Sequence, residues 1–128
     1  TANQTNACIP MIETRDAVEN LDEILKVEGV DAIYVGPADL SLSYGYGPAY
    51  SDDNDEYKEV LEYIVERCSE AGKVAGIHST SALAANRREK GFMMQTISGD
   101  IAALGKGSYQ DLKNAIDGGP GDGSSKIY

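Results

Sequence analysis

Four polar side chains stand where short apolar segments, each predicted to be a β-strand, come to an end. The segments are residues 7–13, 31–36, 73–78 and 92–98, and the side chains at or just after their ends are Glu13, Asp39, His78 and Asp100. In a sheet of parallel strands the carboxyl ends meet at one edge, so Glu13 and Asp39 are predicted to converge. Paired carboxylates, completed by water and substrate oxygens, are typical ligands of Mg²⁺ or Mn²⁺. Spacing alone favours a simpler role, in which such residues cap the helices that follow.

Other reactive residue types are less well placed. Imine (Schiff-base) chemistry needs a lysine at the carboxyl end of a strand, whereas Lys73 opens a strand and Lys26 closes a helix. The segment 45–47 (GYG) lacks the helix pattern that follows a phosphate-binding loop, which argues against a nucleotide site. His78 is the only histidine and could touch substrate, although the expected role is that of a hydrogen-bonded structural histidine.

The elements that position these residues alternate along the chain. Thr14 is predicted to cap a helix whose apolar stripe ends before Gly29, and further helices are predicted near 55–71 and 80–90. Residues 36–54 are predicted to form a long loop, 100–105 and 107–117 two short helices, and 118–128 a flexible tail. Strands alternating with helices predict βαβ units and a parallel sheet, an α/β fold. Four such units are half of a closed (β/α)8 barrel, which takes about 250 residues.

Composition limits the partners of this protein. The chain has 128 residues, of which 41% are hydrophobic and 25% charged, as expected for one domain with a buried core. Its net charge of −10 argues against nucleic acid and against an anionic membrane surface as partners. Cys8 and Cys68 form neither a metal-ligand spacing nor a disulfide framework, which favours a reducing, cytoplasmic location.

The run MIETRDAVENLDEILKVEGVDAIYVGPADLSLSYG, residues 11–45, resembles the HpcH/HpaI family of class II, metal-dependent pyruvate aldolases. The MIET and GPADLS motifs match in order and separation, and the looser similarity extends over about residues 8–105. The resemblance implies a (β/α)8 TIM barrel with a metal at its top. Of that barrel this chain is expected to contain about the last four β/α units, with residues 1–117 as the C-terminal half and 118–128 as the tail.

The same resemblance implies specific site residues. The family's metal-binding glutamate falls on Glu13 and its metal-binding aspartate on Asp39, and the backbone N–H groups of Ala38 and Asp39 are expected to hold the substrate carboxylate. Successive amides in a tight turn form an anion-binding nest, which agrees with that role. Many members of the family have glutamine where this chain has Met11, which cannot donate a hydrogen bond.

The implied reaction is the cleavage of a 4-hydroxy-2-oxo acid, by way of a metal-stabilised enolate, to pyruvate and an aldehyde. The cofactor is expected to be Mg²⁺ or Mn²⁺, with Co²⁺ also compatible with oxygen ligands. The family's general-base histidine and enolate-stabilising arginine belong to the first half of the barrel, so neither role is transferred to His78 or Arg15. The base is therefore expected to come from sequence outside this chain, from another chain or from metal-bound water.

Two alternatives remain open at this point. A citryl- or malyl-CoA lyase-like enzyme would share the enolate chemistry, but the sequence has no basic cluster suited to the CoA phosphates. A non-catalytic, truncated subunit would keep the fold and the interface without turnover. Because four strands leave two open sheet edges, a homo-oligomer or a complementary half-barrel chain is the expected partner. Tyr44, Tyr46 and Tyr50 are expected to contact that partner, and Met93 and Met94 to fill the core.

Overall fold

The computed structural model describes residues 1–48 and 54–118, and it confirms an α/β fold with a parallel sheet. The elements in chain order are α1 (Ala2–Thr5), β1 (Met11–Ile12), α2 (Arg15–Glu19), α3 (Leu21–Lys26), β2 (Ala32–Val35), α4 (Pro37–Ser43), α5 (Asp55–Glu70), β3 (Val74–His78), α6 (Ala84–Glu89), β4 (Met94–Thr96) and α7 (Asp100–Asp117). The four strands lie in the order β1-β2-β3-β4, and each pairs with its neighbour in parallel.

One face of the sheet is buried beneath helices and forms the core. Ile12 pairs with Val35, and Val35 pairs with Ile77, and all three side chains are fully buried. Helix α5 packs on β3, and α3 packs in turn on α5. The remaining core residues come from the same sheet face, from α3, α4 and α5 and from the segment before β4, and they include Leu21, Leu25, Ile33, Leu40, Tyr57, Leu61, Ile64 and Phe92. Because alternate residues of a strand face opposite sides, the other face is left for the site.

Local signals explain where the early helices begin and end. The side chain of Thr14 accepts a hydrogen bond from the backbone N–H of Ala17 at 3.1 Å, so the predicted cap is confirmed. The expected single helix is broken at Asn20 into α2 and α3. Gly29 follows with a φ of +91°, a conformation that side chains other than glycine rarely adopt.

The long loop predicted after β2 is wrong in its first part, because Pro37–Ser43 form helix α4. Proline is well tolerated at the first position of a helix, since its fixed φ suits that turn and no N–H is needed there. The N–H of Leu40 forms the first turn of the helix by donating to the carbonyl of Gly36 at 2.9 Å. The side chain of Leu40 is fully buried. Tyr50, which the sequence assigns to a subunit contact, lies outside the described residues.

Two methionines were expected to fill the core. Met93 is 72% exposed, so that prediction is wrong for Met93, whereas Met94 is half-buried. Met93 immediately precedes β4, which within residues 1–48 and 54–118 pairs with β3 alone.

The chain divides into two compact units, Thr1–Ile97 and Ser98–Tyr128. The second contains α7, a single helix of 18 residues where two short helices were predicted. Its N-cap is Gly99, not Asp100, whose side chain accepts a hydrogen bond from the N–H of Ile101 at 2.8 Å. The division of the chain into 1–117 and a tail stays a prediction, and residues 119–128 lie outside the described ranges. Among the helices described, none has the length and hydropathy needed to cross a membrane.

Candidate active site

The register of the strands brings two of the residues singled out from the sequence, Glu13 and His78, to one layer of the sheet. Beyond the Ile12–Val35 and Val35–Ile77 pairs, the next position on each strand is Glu13, Gly36 or His78. His78 pairs in turn with Thr96. These residues lie on the face opposite the buried core, at the carboxyl ends of the strands, as the sequence predicts.

Gly36 creates the space that Glu13 occupies. A Cβ atom at Gly36 would stand only 2.9 Å from Oε2 of Glu13 and 3.2 Å from Sδ of Met11. The backbone N–H of Gly36 donates to the carbonyl of Ile12 at 3.2 Å, which holds the two strand ends side by side. The Glu13 carboxylate therefore lies over the backbone of Gly36, and a larger residue at position 36 would displace it.

The turn that follows Gly36 presents backbone donors. Pro37 has no N–H, and the first hydrogen bond within α4 begins at the N–H of Leu40. The N–H groups of Ala38 and Asp39 therefore precede the helical ladder, and Gly36 has no side chain with which to cap them. Within the part of the chain that the structure describes, neither N–H donates a hydrogen bond. These are the two amides that the sequence analysis assigned to a substrate carboxylate.

A cavity of about 230 Å³ lies beside this turn. It is lined by Met11, Tyr34, Gly36, Pro37, Ala38, Asp39 and His78. Glu13 does not line the cavity, but it packs against Gly36, which does. The cavity is smaller than the roughly 300–1,000 Å³ of drug-sized ligand sites, as suits a small acid.

The carboxylates of the site have no cationic partner. Among residues 1–48 and 54–118, neither Glu13 nor Asp39 forms an ion pair. Asp39 is exposed and Glu13 is half-buried. In those same ranges no three acidic, histidine or cysteine side chains come together as a complete protein ligand set for a metal. Two carboxylates alone leave the remaining coordination positions to water and substrate, an arrangement typical of Mg²⁺.

His78 does not have the structural role expected of it. Its side chain is exposed, lines the cavity and makes no hydrogen bond to any described residue. His78 is the last residue of β3.

A cluster of aromatic side chains connects the end of α4 to α5. The guanidinium of Arg15 lies 4.6 Å from the centre of the Tyr44 ring, which stacks on Tyr46 at 6.4 Å. Tyr46 packs edge-on against Tyr57, and its hydroxyl donates to Glu56, a hydrogen bond that raises the pKa of Tyr46. Partial burial raises the pKa of Tyr44. These two rings therefore pack within the chain, and the predicted subunit contact stays a prediction.

Tyr57 was not singled out by the sequence analysis. It is fully buried, and its hydroxyl donates to the carbonyl of Pro37 at 2.9 Å, so α5 holds the turn that presents Ala38 and Asp39. The available signal was a tyrosine on the apolar face of a helix, since buried tyrosine hydroxyls usually need a partner. Ser41 and Ser43 join separate segments of the chain. Ser41 Oγ donates to the carbonyl of Gly47 at 2.7 Å, and Ser43 Oγ accepts from the N–H of Arg15 at 2.8 Å.

The chain is similar to known proteins of one family. The family model described as HpcH/HpaI aldolase/citrate lyase matches residues 1–108. A hydroxypyruvate/pyruvate aldolase of Rhizorhabdus wittichii is 36% identical over 115 residues, which cover 89% of this chain and 46% of that protein. A 4-hydroxy-2-oxo-heptane-1,7-dioate aldolase of Klebsiella pneumoniae is 34% identical over 108 residues, which cover 84% of this chain and 40% of that protein.

Solved structures show the same fold. An HpcH/HpaI aldolase/citrate lyase family protein from Burkholderia cenocepacia superposes with a TM-score of 0.79 at 29% identity, over 91% of this chain and 45% of that one. The HpcH/HpaI aldolase from Desulfitobacterium hafniense gives a TM-score of 0.75 at 31% identity, over 88% of this chain and 44% of that one. The chain thus spans less than half the length of these relatives. On the strength of the motif match and the fold, this chain belongs to the HpcH/HpaI aldolase/citrate lyase family.

Proposed function

We propose that this chain is the metal-binding half of an aldolase that cleaves a 4-hydroxy-2-oxo acid to pyruvate and an aldehyde. The observation on which this rests is the Glu13 carboxylate lying over Gly36, beside the turn that presents Asp39 and the free N–H groups of Ala38 and Asp39. Two relatives bear the names of aldolases, one of hydroxypyruvate and pyruvate and the other of a 4-hydroxy-2-oxo acid. We also propose that the four β/α units are the last four of a (β/α)8 barrel, because they contain the MIET and GPADLS motifs.

The residues present suit a divalent cation. Glu13 and Asp39 offer carboxylate oxygens with no competing ion pair among the described residues, and hard cations such as Mg²⁺ and Mn²⁺ prefer oxygen ligands. Co²⁺ remains compatible with the same oxygens. When bound, the cation would supply positive charge next to the 2-oxo group, where negative charge develops as the carbon–carbon bond breaks.

The protein's own contribution to binding is the turn at the start of α4. The N–H groups of Ala38 and Asp39 would donate to the substrate carboxylate, which fixes one end of the acid. Met11 and Tyr34 line the cavity beside this turn. Removal of the proton from the 4-hydroxyl group requires a base, and we assign that base to sequence outside this chain.

The first test is the exchange of the methyl protons of pyruvate with D₂O, followed by NMR with added Mg²⁺ and again with EDTA. Exchange that EDTA abolishes is the result expected if the chain builds a working site. Metal binding without exchange would favour the non-catalytic, truncated subunit or a base supplied by another half of the barrel. Absence of metal binding would contradict the proposed function outright.

A CoA-thioester lyase of the citryl- or malyl-CoA type is the alternative. The cavity lining contains no lysine or arginine to meet the CoA phosphates, and its volume of about 230 Å³ suits a small free acid. Assays with a CoA thioester and with a free 4-hydroxy-2-oxo acid separate the two enzymes. Turnover of the thioester alone would contradict the aldolase assignment.

A further inference from the structure

We propose that His78 is a substrate-contact residue whose imidazole hydrogen-bonds the oxygen on C4 of the 4-hydroxy-2-oxo acid. That oxygen is the one that becomes the carbonyl of the aldehyde product. The inference rests on the proposed function and adds to it a residue of this chain that recognises the cleaved half of the substrate.

Position is the first argument. In the layer at the carboxyl ends of the strands, Gly36 separates Glu13 from His78. Adjacent strands lie about 4.8 Å apart, so the backbones of Glu13 and His78 stand about 10 Å apart across a residue without a side chain. The Glu13 carboxylate packs against Gly36 from the β1 side, and the cavity beside Gly36 is lined by His78 on the β3 side. An acid bound between Glu13 and His78 would have one end near the Glu13 carboxylate and its more distant carbon atoms near the imidazole of His78.

The second argument is that the side chain of His78 has no hydrogen-bond partner among the described residues. That side chain is exposed, whereas the backbone of His78 pairs with Thr96 in the sheet. A neutral imidazole has one donor and one acceptor nitrogen, and a hydroxyl or carbonyl oxygen can pair with it in either sense.

The third argument is elimination within the cavity. Met11 and Pro37 have no hydrogen-bond donor in their side chains, and the amides of Ala38 together with Asp39 are assigned to the carboxylate end. Tyr34 lies one layer deeper, paired with Gly76 rather than with His78. His78 is thus the lining side chain best placed to bind an oxygen at the far end of the acid.

The test separates the two halves of the substrate. Pyruvate has three carbons and no C4 oxygen, so loss of a C4 contact should leave pyruvate proton exchange unchanged while cleavage is impaired. In the assembled enzyme loaded with Mg²⁺, we expect His78→Leu to lower kcat/KM for 4-hydroxy-2-oxopentanoate by at least about tenfold. Exchange of pyruvate methyl protons should stay within about twofold of the wild type. His78→Gln retains a donor and an acceptor and should recover most of the loss.

Thr96→Val is the matched control, because Thr96 lies in the same layer but does not line the cavity. An unchanged cleavage rate in His78→Leu, or an equal loss in cleavage and exchange, would overturn the inference while the wild type remains active. A wild type without exchange and without cleavage would instead overturn the proposed function, and this inference with it.

Discussion

At the scale of single residues, the site depends on the side chain that Gly36 does not have. The Glu13 carboxylate fills the space that a Cβ would take, and the neighbouring turn exposes its amides because glycine cannot cap them. The backbone of Gly36 has an ordinary φ of −91°, so alanine there would introduce no backbone strain. The requirement for glycine is therefore a matter of space next to the carboxylate.

Gly36→Ala is expected to displace Glu13 and to weaken Mn²⁺ binding by at least about tenfold, since even outer partners of metal ligands have effects of that size. Isothermal titration calorimetry with Mn²⁺ measures the change. Gly47→Ala serves as control, because a Cβ there would meet no atom within 4 Å. Wild-type affinity in Gly36→Ala would show that Glu13 does not need this space.

Asp39→Asn and Glu13→Gln test the proposed ligands directly. Each keeps the size of the side chain and removes its charge, and we expect the affinity for Mn²⁺ to fall by about 100-fold or more. The far-UV circular dichroism should stay unchanged, because Asp39 is exposed and Glu13 is only half-buried. Glu66→Gln on an exposed position of α5 is the matched control. A variant that binds metal as tightly as the wild type would remove its residue from the ligand set.

At the scale of elements, α5 joins the core to the site. Its buried face packs on β3, and Tyr57 near its first turn reaches the carbonyl of Pro37 at the start of α4. The side chain of Asn54 accepts from the N–H of Tyr57 at 3.0 Å and sets where the helix begins. The position of the turn that presents Ala38 and Asp39 is thus coupled to the start of α5.

Tyr57→Phe removes that hydrogen bond while keeping the buried ring. The free energy of unfolding in urea should fall by about 1–2 kcal/mol, the cost of a lost buried hydrogen bond. The amide resonances of Ala38 and Asp39 should shift in the ¹H–¹⁵N spectrum, because their turn loses its anchor. Tyr63→Phe, at an exposed position of the same helix, should do neither. Unmoved Ala38 and Asp39 resonances in Tyr57→Phe would show that α4 is held by other contacts.

The two free cysteines differ because α5 buries one of them. Burial raises the pKa of the Cys68 thiol to about 11, whereas Cys8 is exposed. Only the thiolate is nucleophilic, and at pH 8 a pKa of about 11 leaves about one thiol in a thousand ionised. Iodoacetamide at pH 8 should therefore add one label to the native protein and two after unfolding, as read by mass spectrometry. Native Cys8→Ser should take none, and rapid labelling of that variant would contradict the burial of Cys68.

At the scale of the whole molecule, the sheet is open at both sides. Within the described residues β1 and β4 each pair with one strand, so each offers unpaired backbone groups on its outer edge. Ile9, Met11, Met93 and Ile97, which belong to or lie next to these edge strands, are between 40% and 72% exposed. We propose that a second copy or a complementary half-barrel chain covers these edges.

Sedimentation velocity tests this proposal across a dilution series. We expect the isolated chain to sediment above its monomer mass of 13.6 kDa, or to shift to a defined larger species when the complementary half is added. A stable monomer at all concentrations that also ignores the complementary half would contradict it.

Local sequence determined much of this protein. Apolar segments predicted four parallel strands, Thr14 predicted the cap of α2, and the MIET and GPADLS motifs predicted the family. These succeeded because caps, periodicity and motifs depend on residues within a few positions of one another. By the same local reasoning, Gly36 and Pro37 predicted a loop. The chain forms helix α4 there instead, because that helix buries Leu40 in the core.

The tertiary structure decided which residues at the strand ends lie side by side in one layer. The predicted strand 7–13 became only Met11–Ile12, and the placement of Glu13, Gly36 and His78 in one layer follows from register between strands more than 20 residues apart. The Tyr57–Pro37 hydrogen bond likewise joins residues 20 positions apart. Register and long-range hydrogen bonds are set by the packing of the sheet against its helices, and no local pattern encodes that packing.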